Sequence, residues 1–296
     1  MPDQSKTIIS ALLDKGRETD SVCTAVSLDQ RNRTTPDIVH NSQISDPVRT
    51  AVLLAAGTGS RLQPLTHDAP KCLTQIHGVP ILDQQVRCLE DWGFERLVVV
   101  LGHMEECIRE FLEQHPCNLQ IEYITSSRYR TTNNIYSLWI ARELVRESFL
   151  LLESDLLFDT PLLGPMLRPD SIAVSTVLPW MTGSTVELDQ HQRVISMDVG
   201  VDARRNNSSF KTVNIYSLSA ETWRHVSERL DRHIAAGNVR DYYETVFAEL
   251  IGEGTLSLRP VLFDDERWYE VDTLADLHEA ERIFRAPTRN LPSRSC

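Results

Sequence analysis

A chain of 296 residues with 41% hydrophobic content can bury one large α/β core. Its formal net charge of −12 argues against nucleic acid and anionic membrane as partners. No apolar run approaches the roughly 18 residues of a membrane span, Met1 to Asp20 suits neither a signal peptide nor an anchor, and six scattered cysteines without a C-x-x-C pair exclude a zinc site or disulfide framework. The expectation is a cytoplasmic protein with reduced thiols.

Residues 1–48 are polar, with Arg31 to Pro36 and Asn41 to Pro47 reading as loop and only Thr7 to Leu13 as a helical turn or two, so a flexible arm is expected. From Thr50 the pattern becomes strand, loop and helix in alternation. Ala51 to Ala55 is a short apolar strand ending in a glycine-rich loop, and Ile81, Leu82, Val86, Leu89 and Trp92 share one helical face that Gly93 ends. Leu97 to Leu101 is aliphatic throughout, as strands buried on both faces are. Met104, Cys107, Ile108, Phe111 and Leu112 predict a helix, Leu119, Ile121 and Tyr123 a strand, and a helix starting near Asn134 leads into an apolar strand at Phe149 to Leu152. This order implies a mostly parallel sheet with helices on both sides. Strand-like stretches at Ile172 to Val177, Thr185 to Leu188, Val194 to Met197 and Phe210 to Leu218 suggest added hairpins. Helices over Ala220 to Ala235 and Asp241 to Ile251, strands over Leu256 to Phe263 and Trp268 to Val271, and a last helix carrying Leu274, Leu277 and Ala280 complete one domain, residues 49–286, before a tail of residues 287–296.

The strongest chemical signal is Leu54, Ala55, Ala56, Gly57, Thr58, Gly59, Ser60 and Arg61, followed by Pro70-Lys71. Small residues after a buried strand let backbone N–H groups approach an oxyanion, and Arg61 and Lys71 supply cations in an acidic chain. No Gly-Lys-Ser/Thr follows, which excludes a P-loop, and the third glycine of the dinucleotide fingerprint is missing. Two carboxylates fall at carboxyl ends of strands: Asp155 in Glu153-Ser154-Asp155, and Asp272 after Trp268 to Val271. Open α/β sheets place ligands there, and hard Mg²⁺ takes one or two carboxylates with phosphate oxygens. Helix capping is the other reading of Asp272, because Thr273 to Asp276 is a capping-box pattern.

The glycine loop with Arg61-Leu62 and Pro70-Lys71 resembles the nucleotidyltransferase superfamily of sugar-nucleotide pyrophosphorylases. The resemblance implies a three-layer Rossmann-like α/β fold with a mixed, mostly parallel sheet and added hairpins. It also implies that Gly57 to Ser60 wrap a triphosphate, Arg61 holds the leaving phosphates, Lys71 contacts the α phosphorus, and Asp155 and Asp272 hold Mg²⁺. Thr131 to Leu138, with Asn133 and Asn134, and Phe210-Lys211-Thr212-Val213-Asn214-Ile215-Tyr216 resemble the phosphocholine and 2-aminoethylphosphonate cytidylyltransferases, with Lys211 to Tyr216 and Tyr242-Tyr243-Glu244 closer to the phosphonate branch. That implies CTP as donor and a small phosphonate or phosphate acceptor, with Asn133, Asn134 and Ser154 beside the nucleotide.

A phosphonate dianion needs a cation to position it, which Lys211, Arg128 or Arg130 can provide, and an amino or trimethylammonium head would favour aromatic faces such as Tyr136, Tyr216 or Tyr242. Asn214 completes the expected acceptor residues. Arg128 and Arg130 leave room for a more anionic acceptor, a phosphonocarboxylate such as phosphonoformate. Sugar-1-phosphate transfer from UTP or dTTP, and a nucleotide-binding regulatory subunit without turnover, are the competing readings. A homodimer is compatible with the sequence and is not required by it.

Overall fold

The computed structural model describes residues 47–178, 181–201, 209–264 and 267–284. The expected helical turn at Thr7 to Leu13, nearly all of the arm, and the tail lie outside them.

In chain order the elements are β1 (Thr50–Ala55), β2 (Gln75–Ile76), β3 (Val79–Pro80), α1 (Ile81–Asp91), β4 (Arg96–Leu101), α2 (Glu105–Gln114), β5 (Gln120–Thr125), α3 (Asn134–Ala141), β6 (Phe149–Glu153) and β7 (Leu156–Phe158). There follow β8 (Ser171–Thr176), β9 (Gly183–Leu188), β10 (Val194–Val201), β11 (Ser209–Leu218), α4 (Ala220–Ala235), α5 (Tyr243–Gly252), β12 (Arg259–Leu262), β13 (Trp268–Glu270) and α6 (Leu274–Ile283).

Side-chain alternation along β1 explains the three layers. Ala51, Leu53 and Ala55 join an apolar cluster with Leu82, Val86 and Leu89 of α1 and Ile108 and Leu112 of α2. Val52 and Leu54 face the opposite cluster, built with Leu138 of α3, Val226 of α4 and Phe247 of α5. A strand that is apolar on both faces gains most by lying mid-sheet between helical layers. It does so here: the nine-stranded sheet runs β10-β9-β11-β6-β1-β4-β5, with β8 pairing β11 and β12.

β6, β1, β4 and β5 are parallel, β11 is antiparallel to β6, and β9 with β10 forms an antiparallel hairpin. The chain leaves β1 toward β4 on one side and returns to β6 on the other. That reversal of strand order opens a crevice at the carboxyl ends of β1 and β6, where α/β folds bind ligands.

A second, two-stranded sheet pairs β7 antiparallel with β13. Leu157, Tyr269 and Val271 pack there against Leu62, Ile81 and Ala280, the last from α6. The Val271 N–H donates to the Asp155 carbonyl at 3.0 Å, joining the chain just beyond β6 to the chain just beyond β13. Among the described residues no helix is long and apolar enough to cross a membrane.

Candidate active site

A cleft of about 750 Å³ occupies the switch point. Leu54, Ala56, Gly57, Thr58, Gly59, Ser60, Arg61 and Lys71 line one side, and Asn133, Asn134, Ser154, Asp155, Lys211, Asn214 and Asp272 line the rest. The loop is small for steric reasons. A Cβ on Gly59, which is left-handed at φ 61°, would come within 3.0 Å of the Lys71 Cβ. A Cβ on Gly102 would lie 2.7 Å from the Ala56 carbonyl oxygen and 2.9 Å from the Tyr129 Cβ, so β4 must end in glycine for the loop to lie against it.

Four side chains distant in sequence converge below this loop. Lys71 Nζ donates to Asp155 Oδ2 at 2.6 Å and to Asp272 Oδ1 at 2.5 Å, and Arg61 Nη2 donates to the same Asp272 oxygen at 2.9 Å. Burial pulls the Lys71 ammonium down, but the charges of Asp155 and Asp272 outweigh it and hold its pKa above the ordinary lysine value. Asp272 is not the cap of α6: Thr273 accepts from the Asp276 N–H, and the Asp276 carboxylate accepts in return from the Thr273 N–H. That leaves the Asp272 carboxylate for Lys71 and Arg61.

Carboxylate oxygens of Asp155, Glu270 and Asp272 all lie within 4.8 Å of one another. Asp155 Oδ1 is buried with no hydrogen-bond partner among the described residues. Clustered hard oxygen donors with one ligand position unsatisfied fit Mg²⁺ better than a soft or nitrogen-preferring metal.

Three further carboxylates stand in the cleft, and the expectations above gave them no role: Glu153, Glu244 and Glu270. Burial pushes Glu244 up to about 7 against the pull of Lys211 and a hydrogen bond from Asn134. Enclosure likewise raises Glu270 to about 7, with Lys211 opposing and Asp155 adding to the rise. Glu153 is raised well above its ordinary value by burial and by the charges of Asp155 and Glu244. Lys211 is 2% exposed and 3.9 Å from Glu270, so one cation faces three acids. A period-two reading finds two of them, since Glu153-Ser154-Asp155 and Glu270-Val271-Asp272 repeat one Glu-x-Asp spacing at two strand ends.

Helix α3 begins beside these groups. The Asn133 side chain accepts from the Asn134 N–H, while Asn134 donates to Glu153 at 3.2 Å and accepts from the Tyr243 N–H at 3.1 Å. Asn214 sits left-handed at φ 59°, where the pairing of β11 with β8 shifts register, and it accepts from Thr212 Oγ1 at 3.0 Å.

Five expected residues do not line the cleft. Ala55 is the last residue of β1, and alternation turns its side chain into the core. Tyr216, expected at the acceptor, is fully buried two residues deeper than Asn214 on β11, edge-on to Tyr243 and Phe247 at 5.8 and 5.0 Å. Tyr136 packs against Trp139 on α3 with Arg128 over its ring, and Arg130 stacks on Tyr129 from the exposed side. The aromatic rings that do line the cleft are Tyr129 and Tyr242.

Residues 50–170 match the family model for nucleotidyl transferases. The chain is 33% identical over 271 residues to a CMP-5'-(3-aminopropyl)phosphonate synthase of Streptomyces rubellomurinus, a match covering 86% of this chain and 41% of the relative, so the chain spans less than half the length of that protein. It is 26% identical over 232 residues to a 2-aminoethylphosphonate cytidylyltransferase of Lancefieldella rimae, covering 77% of this chain and 89% of the other. Among solved structures, the CTP:phosphocholine cytidylyltransferase of Streptococcus pneumoniae superposes with a TM-score of 0.70 at 21% identity, over 80% of this chain and 100% of that one. The shared fold agrees with the sheet order and switch point above, and residues 50–170 of this chain are a nucleotidyl transferase domain.

Proposed function

We propose that the chain is a cytidylyltransferase that joins the CMP moiety of CTP to a small aminoalkylphosphonate and releases pyrophosphate. The observation that carries this reading is the convergence of Arg61 and Lys71 on Asp155 and Asp272 beneath a glycine loop, at the switch point of the sheet.

Nucleotidyl transfer needs charge neutralisation and in-line positioning more than a covalent intermediate. Backbone N–H groups of Gly57 to Ser60 cradle the triphosphate, Arg61 holds the departing pyrophosphate, and Lys71 exchanges its carboxylate partners for the α-phosphate oxygens. A phosphonate oxygen bonds to the α phosphorus as the bond to the β-phosphate oxygen breaks. The dianionic acceptor is already a nucleophile and needs no general base. Asp155 and Asp272, with Glu270 beside them, would hold Mg²⁺, which supplies charge neutralisation to the phosphates.

The choice of cytidine rests on the relatives. The choice of acceptor rests also on the cleft floor, where Glu153, Glu244 and Glu270 outnumber Lys211. That charge balance favours an acceptor carrying an ammonium group, with Tyr129 and Tyr242 as aromatic faces, and disfavours phosphonoformate.

A pyrophosphate-release assay with Mg²⁺ tests the proposal by crossing four nucleoside triphosphates with 2-aminoethylphosphonate, 3-aminopropylphosphonate, phosphocholine, phosphonoformate and glucose 1-phosphate. Release with CTP and an aminoalkylphosphonate is expected. Release only with UTP or dTTP and the sugar phosphate, or with no pair at all, would overturn it.

A further inference from the structure

The start of α3 is held in place by a segment about a hundred residues later. The Asn133 N–H donates to the Val239 carbonyl at 2.8 Å, Asn133 Nδ2 to the Arg240 carbonyl at 3.3 Å, Arg240 Nε back to the Thr131 carbonyl at 3.4 Å, and the Tyr243 N–H to Asn134 Oδ1 at 3.1 Å. These bonds tie the 237–242 connection between α4 and α5 to one wall of the cleft, and Tyr242 and Glu244 reach the cleft from that connection and the first turn of α5.

What holds the connection itself is less obvious. Helix α5 is seated by apolar packing of Val246, Phe247 and Leu250, which constrains nothing upstream of Tyr243. Helix α4 ends at Gly237, left-handed at φ 86°, with the Asn238 N–H donating to the His233 carbonyl at 2.9 Å. The His233 side chain is 9% exposed and lies between two carboxylates, with Nε2 3.0 Å from Glu249 Oε2 of α5 and Nδ1 3.9 Å from Asp241 Oδ2 of the connection. Arg229, one turn earlier on α4, takes the same Glu249 oxygen at 2.9 Å and also bonds Glu253. His233 Nδ1 is buried and has no hydrogen-bond partner among the described residues, and the carboxylate facing it is Asp241.

We infer that His233 and Asp241 form a clasp that positions the acceptor wall: an imidazolium donating from Nε2 to Glu249 and from Nδ1 to Asp241 fixes the 237–242 connection, and through it Tyr242 and the Asn133–Asn134 helix start. His233 touches no substrate and acts as a positioning residue. This role rests on the cytidylyltransferase reading for its effect on turnover, though not for the clasp itself.

Asp241→Asn tests it, because the Asp241 side chain is 43% exposed and the change is nearly isosteric. The acceptor KM is expected to rise about tenfold, the equivalent of one lost charge-assisted hydrogen bond. Both kcat and the KM for CTP should stay within about twofold. His233→Gln should give the same split, and the double variant should be no worse than either single one, since both act through one contact. Hydrogen exchange at the Asn133 and Tyr243 amides, bonded across the connection, should quicken in Asp241→Asn while the α4 amides keep their protection. An unchanged acceptor KM in a folded Asp241→Asn protein overturns the inference, as does a loss shared equally between acceptor and CTP. Should the wild type turn over no acceptor, the proposed function fails instead, and amide exchange alone decides the clasp.

Discussion

Lys71 and Asp272 are 201 positions apart in the chain and 2.5 Å apart in space. The same ammonium also reaches Asp155, so one side chain neutralises both carboxylates that would hold the metal. The cleft is thereby arranged before any nucleotide arrives, and a bound phosphate must exchange with contacts that already exist.

Replacing Lys71 by alanine removes a preorganised donor to the α phosphate, and turnover should fall about 10²- to 10³-fold. Steady-state pyrophosphate release checks it, and near-normal turnover would contradict the role given to Lys71. The variant also leaves Asp155 and Asp272 without their cation. Added Mg²⁺ should then raise its Tm more than it raises that of the wild type, because lysine no longer competes for the site.

Asp155→Asn removes a ligand charge and should abolish the Mg²⁺-dependent Tm rise along with most turnover, by about 10²-fold or more. EDTA should silence the wild type, and Mg²⁺ should restore it. Activity of the wild type in excess chelator would refute the metal reading.

Glu244→Gln separates stability from function. Burial raises this carboxyl from its ordinary 4.5 to about 7, so across that window the folded state holds more protons than the unfolded one, and the wild type loses stability as pH rises through it. The neutral variant escapes that loss. It should be the more stable protein at pH 8, by up to about 3 kcal/mol, with the gap closing toward pH 5. Its KM for an aminoalkylphosphonate should rise, because the ammonium loses a counter-charge. Denaturant titrations at the two pH values, paired with acceptor kinetics, test both halves.

Gly102→Ala places a methyl group 2.7 Å from the Ala56 carbonyl oxygen, in backbone that cannot yield cheaply. A loss of about 1–3 kcal/mol is expected, as for other overpacked sites. The KM for CTP should rise as the glycine loop shifts, and an unchanged unfolding midpoint would count against the steric account.

Periodicity made most of the fold legible. The helix expected over Ala220 to Ala235 has those bounds, and the aliphatic run Leu97 to Leu101 lies mid-sheet as a strand buried on both faces. β7 escaped notice because it is three residues long and pairs with a strand more than a hundred positions away, which no local pattern records. For the site, the glycine loop, Lys71, Asp155 and Asp272 could be located because backbone approach and strand ends restrict where such chemistry can stand. The acceptor wall was harder to read. Tyr216 and Asn214 share one face of β11, yet one is core and the other lines the cleft, because α5 covers only the deeper position. Glu244 is buried by tertiary packing, and an acidic residue in the first turn of a helix carries no sign of it in the sequence.

The small sheet of β7 and β13 makes the reactive centre a joint product of the chain's middle and its later part. Asp155 and Asp272 become neighbours only when Leu156 pairs with Glu270 and the Val271 amide meets the Asp155 carbonyl. A nascent polypeptide released only as far as α5 already has β6, β1, β4 and β5 in its sequence, but half its acidic pair is still to be synthesised. Catalytic competence should therefore arrive abruptly, late in translation, when the last strand and helix dock. A separately made segment carrying β13 and α6 is the natural candidate to restore turnover to a protein cut short before Trp268.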